Sequence, residues 1–288
     1  MEPLDPRVNA FRPELADATL EGRVKAARFV SGQELRVSAP QAPVLNAPSV
    51  SARLETEALH GEAVKVFETT SDGWVWAQLV RDRYVGWLQR SDLVELGPAP
   101  THRVSALRTF AFAEPDIKSP PLAAFPLGAE VAVIGEATDH NARYALIAPK
   151  GAVVTQHLAV LTAVEPDFTA TAERFLGVPY LWGGKTTLGL DCSGLVQVAL
   201  QTAGVPVPRD TDMQERALGE ALPLDGGLPP LRRGDLVFWA GHVGIMRDAM
   251  TLVHANAYHM AVAFEALAVA VERLLKKGNP VTAVKRIG

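Results

Sequence analysis

The chain holds a single cysteine, Cys192, in 288 residues. One thiol excludes an intrachain disulfide and every zinc or iron–sulfur site built from several cysteines. An excess of positive charge is also missing. The 28 basic and 32 acidic side chains leave a formal net charge of −4, with no basic footprint for nucleic acid or an anionic membrane surface. No apolar run approaches the roughly eighteen residues of a spanning helix, so membrane insertion is not expected. The start, Met1-Glu-Pro-Leu-Asp-Pro-Arg-Val8, has no basic stretch followed by an apolar core. No secretory leader is expected, which favours the cytoplasm, or the periplasm or exterior if the start is trimmed. The seven histidines show no HxxxH or carboxylate–histidine spacing, so neither a metal nor another cofactor is expected.

What is present describes a folded protein. A hydrophobic fraction of 48% with 21% charged residues is enough to bury cores, and the length suggests two or three compact units. Residues 1–33 read as an N-terminal helical segment, because Ala16, Leu20, Val24 and Ala27 recur at helical spacings over Pro13–Phe29. Residues 34–97 change to short β-like runs, Leu35-Arg-Val-Ser, Ala63-Val-Lys-Val-Phe, Trp74-Val-Trp-Ala-Gln-Leu-Val and Tyr84-Val-Gly-Trp-Leu, as in a small barrel. Trp74, Trp76 and Trp87 are expected in its core.

Residues 98–165 weakly repeat this stretch. Gly61-Glu-Ala-Val-Lys-Val-Phe faces Gly128-Ala-Glu-Val-Ala-Val-Ile at an offset of 67, and Gly86–Leu93 faces Gly151–Leu158 at 65. Two segments at nearly one offset suggest tandem copies. Residues 166–288 then read as a short helix over Phe168–Leu176, a second helix after Asp191, and three strands at Asp235–Trp239, His242–Met246 and Thr251–Ala255. Helix first and antiparallel strands afterwards is an α+β order.

Cys192 falls in the first turn of that second helix, after a glycine-rich loop. Unpaired N–H groups and the positive end of the dipole at this position favour a thiolate. A nucleophile there needs a base and the base an orienting partner. His242 and His254, 12 residues apart on neighbouring predicted strands, fit those two roles, with His259 as the competitor for the second.

Tyr180-x-Trp-Gly-Gly, Asp191-Cys-Ser-Gly-Leu-Val, Gly234-Asp-Leu-Val-Phe, Gly241-His-Val-Gly-Ile and His254-Ala resemble the motif series of the NlpC-type cell-wall cysteine peptidases over about residues 168–288. The resemblance implies a papain-like core in which Cys192 attacks, His242 is the base and His254 orients it, with Tyr180 near the oxyanion. The "GE-V-V … W … GW" skeleton of residues 34–97 resembles a bacterial SH3 barrel. Two such barrels before the catalytic domain resemble the YkfC-type dipeptidyl peptidases, which release L-Ala-γ-D-Glu from murein peptides.

That resemblance implies several further roles. Asp210 in Pro208-Arg209-Asp210 would bind the substrate's free amine, with Asp191, Ser193 and Trp182 beside the nucleophile. Tyr84 and an acid, Glu57 or Glu62, would close over the site from the first barrel. The alternatives are an exported endopeptidase acting on intact peptidoglycan and a non-catalytic wall-peptide binding or scaffold protein.

Overall fold

The computed structural model describes residues 4–288, and the chain divides into two compact units that part between Leu161 and Thr162. In the first unit seven strands pair in the order Leu93–Val94, Gln33–Val37, Ala63–Thr69, Trp74–Leu79, Val85–Gln89, Gln41–Leu45 and Leu54–Leu59. Every pairing is antiparallel. Alternation along Gln33–Val37 and Ala63–Thr69 sends Leu35, Val37, Val64 and Val66 into one core with Val75, Ala77, Leu79 and Leu88.

Tyr84 belongs to the same core and is 3% exposed. Of the two candidate acids, Glu57 accepts from Gln41 Nε2 at 2.9 Å, and buried Glu62 pairs with Arg81 at 3.1 Å.

The N-terminal helix is not formed. The segment makes strands Phe11–Arg12, Leu15–Asp17 and Phe29–Val30 around one 3-10 turn, Ala18–Leu20. The apolar stripe read from spacing does not exist, since Ala16 and Leu20 are buried while Ala27 is exposed. Long-range contacts outweigh a weak propensity here. Leu15 and Ala10 pack on Phe67 and Trp76, the Arg12 guanidinium lies 4.5 Å from the Trp76 ring and 5.0 Å from that of Trp87, and Asp17 accepts from Lys65 Nζ at 2.9 Å. Trp74 and Trp76 are buried and Trp87 packs partly against the same cluster.

After Gly97-Pro-Ala-Pro100, a three-stranded and a five-stranded antiparallel sheet enclose a second core of Val104, Ala111, Phe125, Val131, Ile147 and Val153. Both sequence segments at the common offset have matching geometry. Gly61 and Gly128 both take positive φ, and Val85–Gln89, 3-10 turn Arg90–Asp92, Leu93–Val94 is echoed by Ala152–Val154, 3-10 turn Thr155–His157, Leu158–Val160. Arg81, paired with Glu62 and with Glu130, ties the two modules together.

In the second unit helix α1 (Phe168–Glu173), capped by Asp167, leads to helix α2 (Cys192–Thr202) and helix α3 (Thr211–Ala217). A six-stranded sheet follows in the order Glu220–Leu222, Val281–Arg286, Leu236–Trp239, His242–Met246, Thr251–Asn256, Ala261–Ala266, with helix α4 (Leu267–Leu275) after its last-named strand. α2 is buried along every residue but Gln201. It is therefore a central helix rather than one with a single apolar face. Asp235 of Gly234-Asp-Leu-Val-Phe is buried and accepts from Arg286 Nε and Nη2 at 2.8 and 2.7 Å, fastening two sheet strands. Among the described residues no helix is long and apolar enough to cross a membrane.

Candidate active site

The start of α2 is held by a buried ion pair. Asp191 caps the helix by accepting from Gly194 N at 2.7 Å, and its other oxygen accepts from Gly183 N at 2.8 Å. Arg209, 1% exposed, clamps both carboxylate oxygens at 2.9 and 2.7 Å and donates to Ser193 Oγ at 2.8 Å. This bidentate arrangement is the strong form of the contact. Asp191 and Ser193, expected to touch substrate, both bond to the buried Arg209 at the start of α2, and Arg209 is a structural anchor that the sequence offered only as the neighbour of Asp210. Gly194 is required at its position, because a Cβ there would overlap the carbonyl of Gly184 in the preceding loop.

Cys192, the first residue of α2, is buried. Its Sγ lies 3.8 Å from Thr211 Oγ1 and 4.0 Å from the Gly241 carbonyl, and Val243 N–H donates toward it. The thiol therefore packs against the backbone on either side of His242. Burial first, and then the charge of Asp191, push the thiol up to about 11, while Val243 N–H, Thr211 and Arg209 pull the other way. Burial at this position thus opposes the stabilisation that a helix start gives a thiolate. His242 is pushed below its ordinary value by burial and by the neighbouring His254 and Arg273.

His242 opens a strand after the tight turn Ala240-Gly241, with Trp239 opposite it. Its Nε2 lies 3.0 Å from His254 Nδ1. Gly244 makes this possible, since a Cβ there would press on Leu252 and on His254 Cβ at 3.0 and 3.3 Å. His254 is 1% exposed, and its Nε2 is 3.0 Å from Glu265 Oε2. Glu265 in turn accepts from Arg273 Nε and Nη2 at 3.1 and 2.7 Å. His259 is exposed and turned to Asn256 Oδ1 at 3.0 Å, so it does not compete for the place beside His242. His254, His259 and Glu265 form a grouping with metal-ligand chemistry, but both nitrogens of His254 already face His242 and Glu265.

Tyr180 is half-buried. Burial, then the nearby Cys192 and Asp191, raise its phenol, which stays protonated as a donor. With His242, Asn256, Tyr258, Arg273 and Lys277 it lines a cleft of about 390 Å³. Trp182 is 56% exposed on the same loop. Asp210 is half-buried at the N-cap of α3, and its side chain does not cap that helix. Glu265 and Arg273 were not singled out by the sequence: Glu265 is the one charge in its strand, and Arg273 stands beside Glu272 in an otherwise apolar helix.

Residues 177–271 match the NlpC/P60 family, and residues 44–93 match the bacterial dipeptidyl-peptidase SH3 domain. The chain carries an NlpC/P60 cysteine peptidase domain. Dipeptidyl-peptidase 6 of Lysinibacillus sphaericus is 26% identical over 232 residues, covering 73% of this chain and 82% of that protein. Gamma-D-glutamyl-L-lysine dipeptidyl-peptidase of Bacillus subtilis (strain 168) is 29% identical over 226 residues, covering 70% and 72%. The crystal structure of an NlpC/P60 family protein from Bacillus cereus ATCC 10987 superposes with a TM-score of 0.72, at 18% identity over 88% of this chain and 99% of that one. At that identity it shows a shared fold. The NlpC/P60 match spans α2 and the strands that bear His242 and His254.

Proposed function

We propose that this peptidase releases L-Ala-γ-D-Glu from murein peptides by cutting the bond between γ-D-Glu and the following diamino acid, and that it requires a free amine on L-Ala. The observation that carries the reading is the placement of Asp210. It lies half-buried at the start of α3, one residue before the Thr211 hydroxyl that sits 3.8 Å from the thiol. A carboxylate at this end of the site would pair with an ammonium group. An acylated or glycan-linked end would leave it unmatched, at a cost of about several kcal/mol. The dipeptidyl-peptidase names of the relatives agree with this assignment.

In the reaction Cys192 passes its proton to His242 as sulfur attacks the γ-glutamyl carbonyl. His242 returns the proton to the leaving amine, and water then hydrolyses the thioester. The N–H of Cys192, at a helix start where no intrahelical carbonyl faces it, and the Tyr180 phenol would receive the oxyanion. We also read residues 98–165 as a second SH3-like copy, on the strength of the repeated strand, 3-10 turn and strand.

The test compares L-Ala-γ-D-Glu-meso-diaminopimelate with its N-acetylated form at equal enzyme, with Cys192→Ala as control. Cleavage of the free peptide at least a hundredfold faster is expected. Equal cleavage of both would remove the amine requirement and leave an endopeptidase.

A further inference from the structure

The proposed catalytic pair leaves one question open: which nitrogen of His242 carries its proton. A neutral imidazole has one N–H and one lone pair. His242 Nε2 is engaged by His254 Nδ1 at 3.0 Å, so His242 can act as a base toward the thiol only if its own proton sits on Nε2 and Nδ1 is bare. The His242–His254 contact alone does not decide this, because either nitrogen could donate to the other.

The group behind His254 decides it. Glu265 Oε2 stands 3.0 Å from His254 Nε2, approached off the straight N–H line. The carboxylate is buried and clamped on both oxygens by Arg273. A carboxylate held by a guanidinium only accepts. We propose that Glu265 is a positioning residue that fixes His254 in its Nε2-protonated form, so that His254 Nδ1 accepts from His242 Nε2–H and His242 Nδ1 is left as the base.

The polarity of the relay runs one way, from His242 through His254 to Glu265. When the thiol proton passes to His242 Nδ1, the imidazolium keeps its Nε2–H on His254. No proton leaves for Glu265, whose negative charge offsets the positive one two groups away. Arg273 holds Glu265 in the ionised form, and its carboxyl sits at about 2 despite burial, through its bonds to His254 and Arg273. The titratable and charged groups that face His254 are His242, Glu265, Arg273 and exposed His259. Glu265 is the one negative group of the four. The fold places it through strand pairing, with Ala263 opposite His254 and Glu265 two residues farther on the same face.

The inference rests on Cys192 and His242 being the reacting pair, but not on the identity of the peptide substrate. The deciding measurement is long-range ¹H–¹⁵N correlation on the wild-type chain with labelled histidine, using His254→Gln to assign the His254 signals. Protonated Nε2 and bare Nδ1 on His254 are expected, and the reverse tautomer overturns the proposal whether or not any variant folds. In Glu265→Gln, Arg273 will take the amide oxygen and turn the NH₂ toward His254, reversing the relay. We expect kcat to fall at least tenfold with KM within twofold, the rate of Cys192 alkylation by iodoacetamide to fall in parallel, and Glu265→Asp to recover part of both. A folded Glu265→Gln with wild-type alkylation and kcat sinks the idea. Failure of the wall-peptide assignment would leave the alkylation and tautomer readings intact, so the two can be told apart.

Discussion

At the scale of single residues, Arg209 shows how a motif can hide its function. Pro208-Arg209-Asp210 draws attention to the aspartate, yet the arginine is the group that sets the start of α2, through four hydrogen bonds to Asp191, Ser193 and Gly184. Its guanidinium is 1% exposed and pairs with a buried carboxylate. Removing one partner of such a pair strands the other charge in a dry interior, which costs about 3–5 kcal/mol. Arg209→Ala is therefore expected to lower the stability of the catalytic unit by that amount in urea unfolding. Arg209→Lys should recover little, because one ammonium cannot bridge both oxygens and Ser193 Oγ. Cys192, His242 and His254 were legible because each lies in a short, dense motif. Glu265 was not, since a lone acid in Ala261-Val-Ala-Phe-Glu-Ala gains meaning only when a strand pairing sets it behind a histidine.

At the scale of elements, the histidine strands are positioned by a small residue as much as by their hydrogen bonds. Gly244 faces His254 across the pairing, and an added methyl would force the Thr251–Asn256 strand to give by a few tenths of an ångström. Gly244→Ala should cost about 1–3 kcal/mol as overpacking and reduce kcat about tenfold, since sub-ångström misplacement of a base is expensive. A kinetic loss without change in KM, measured beside a thermal melt, would match this. α2 and the three central strands were readable from periodicity and turn residues. The N-terminal helix was not, because four apolar residues at helical spacing carry little weight against Leu15, Arg12 and Asp17 each finding a partner on the adjoining barrel.

At the scale of the whole molecule, the catalytic unit is expected to lose stability on acidification. Burial keeps His242 and His254 below their ordinary 6.5, so on acidification the unfolded chain takes up these protons while the native fold resists them. Glu265, held at about 2 against an ordinary 4.5, shifts the balance in the same direction: its native-state bonds stabilise the fold above 4.5 and are lost as the pH falls toward 2. The histidine contribution begins to drain as the pH falls through about 6.5, and the Glu265 contribution only as it falls below about 4.5. Urea midpoints for the catalytic unit should therefore fall steadily from pH 6.5 downward and stay flat, as far as these groups are concerned, from 6.5 to 8. The single thiol has a consequence of another kind. Peroxide that oxidises Cys192 to a sulfenic acid meets no second cysteine in this chain to resolve it as a disulfide. Recovery of activity then takes two equivalents of an outside monothiol per site: the first condenses with the sulfenic acid to a mixed disulfide and water, and the second frees the Cys192 thiol and leaves as the external disulfide.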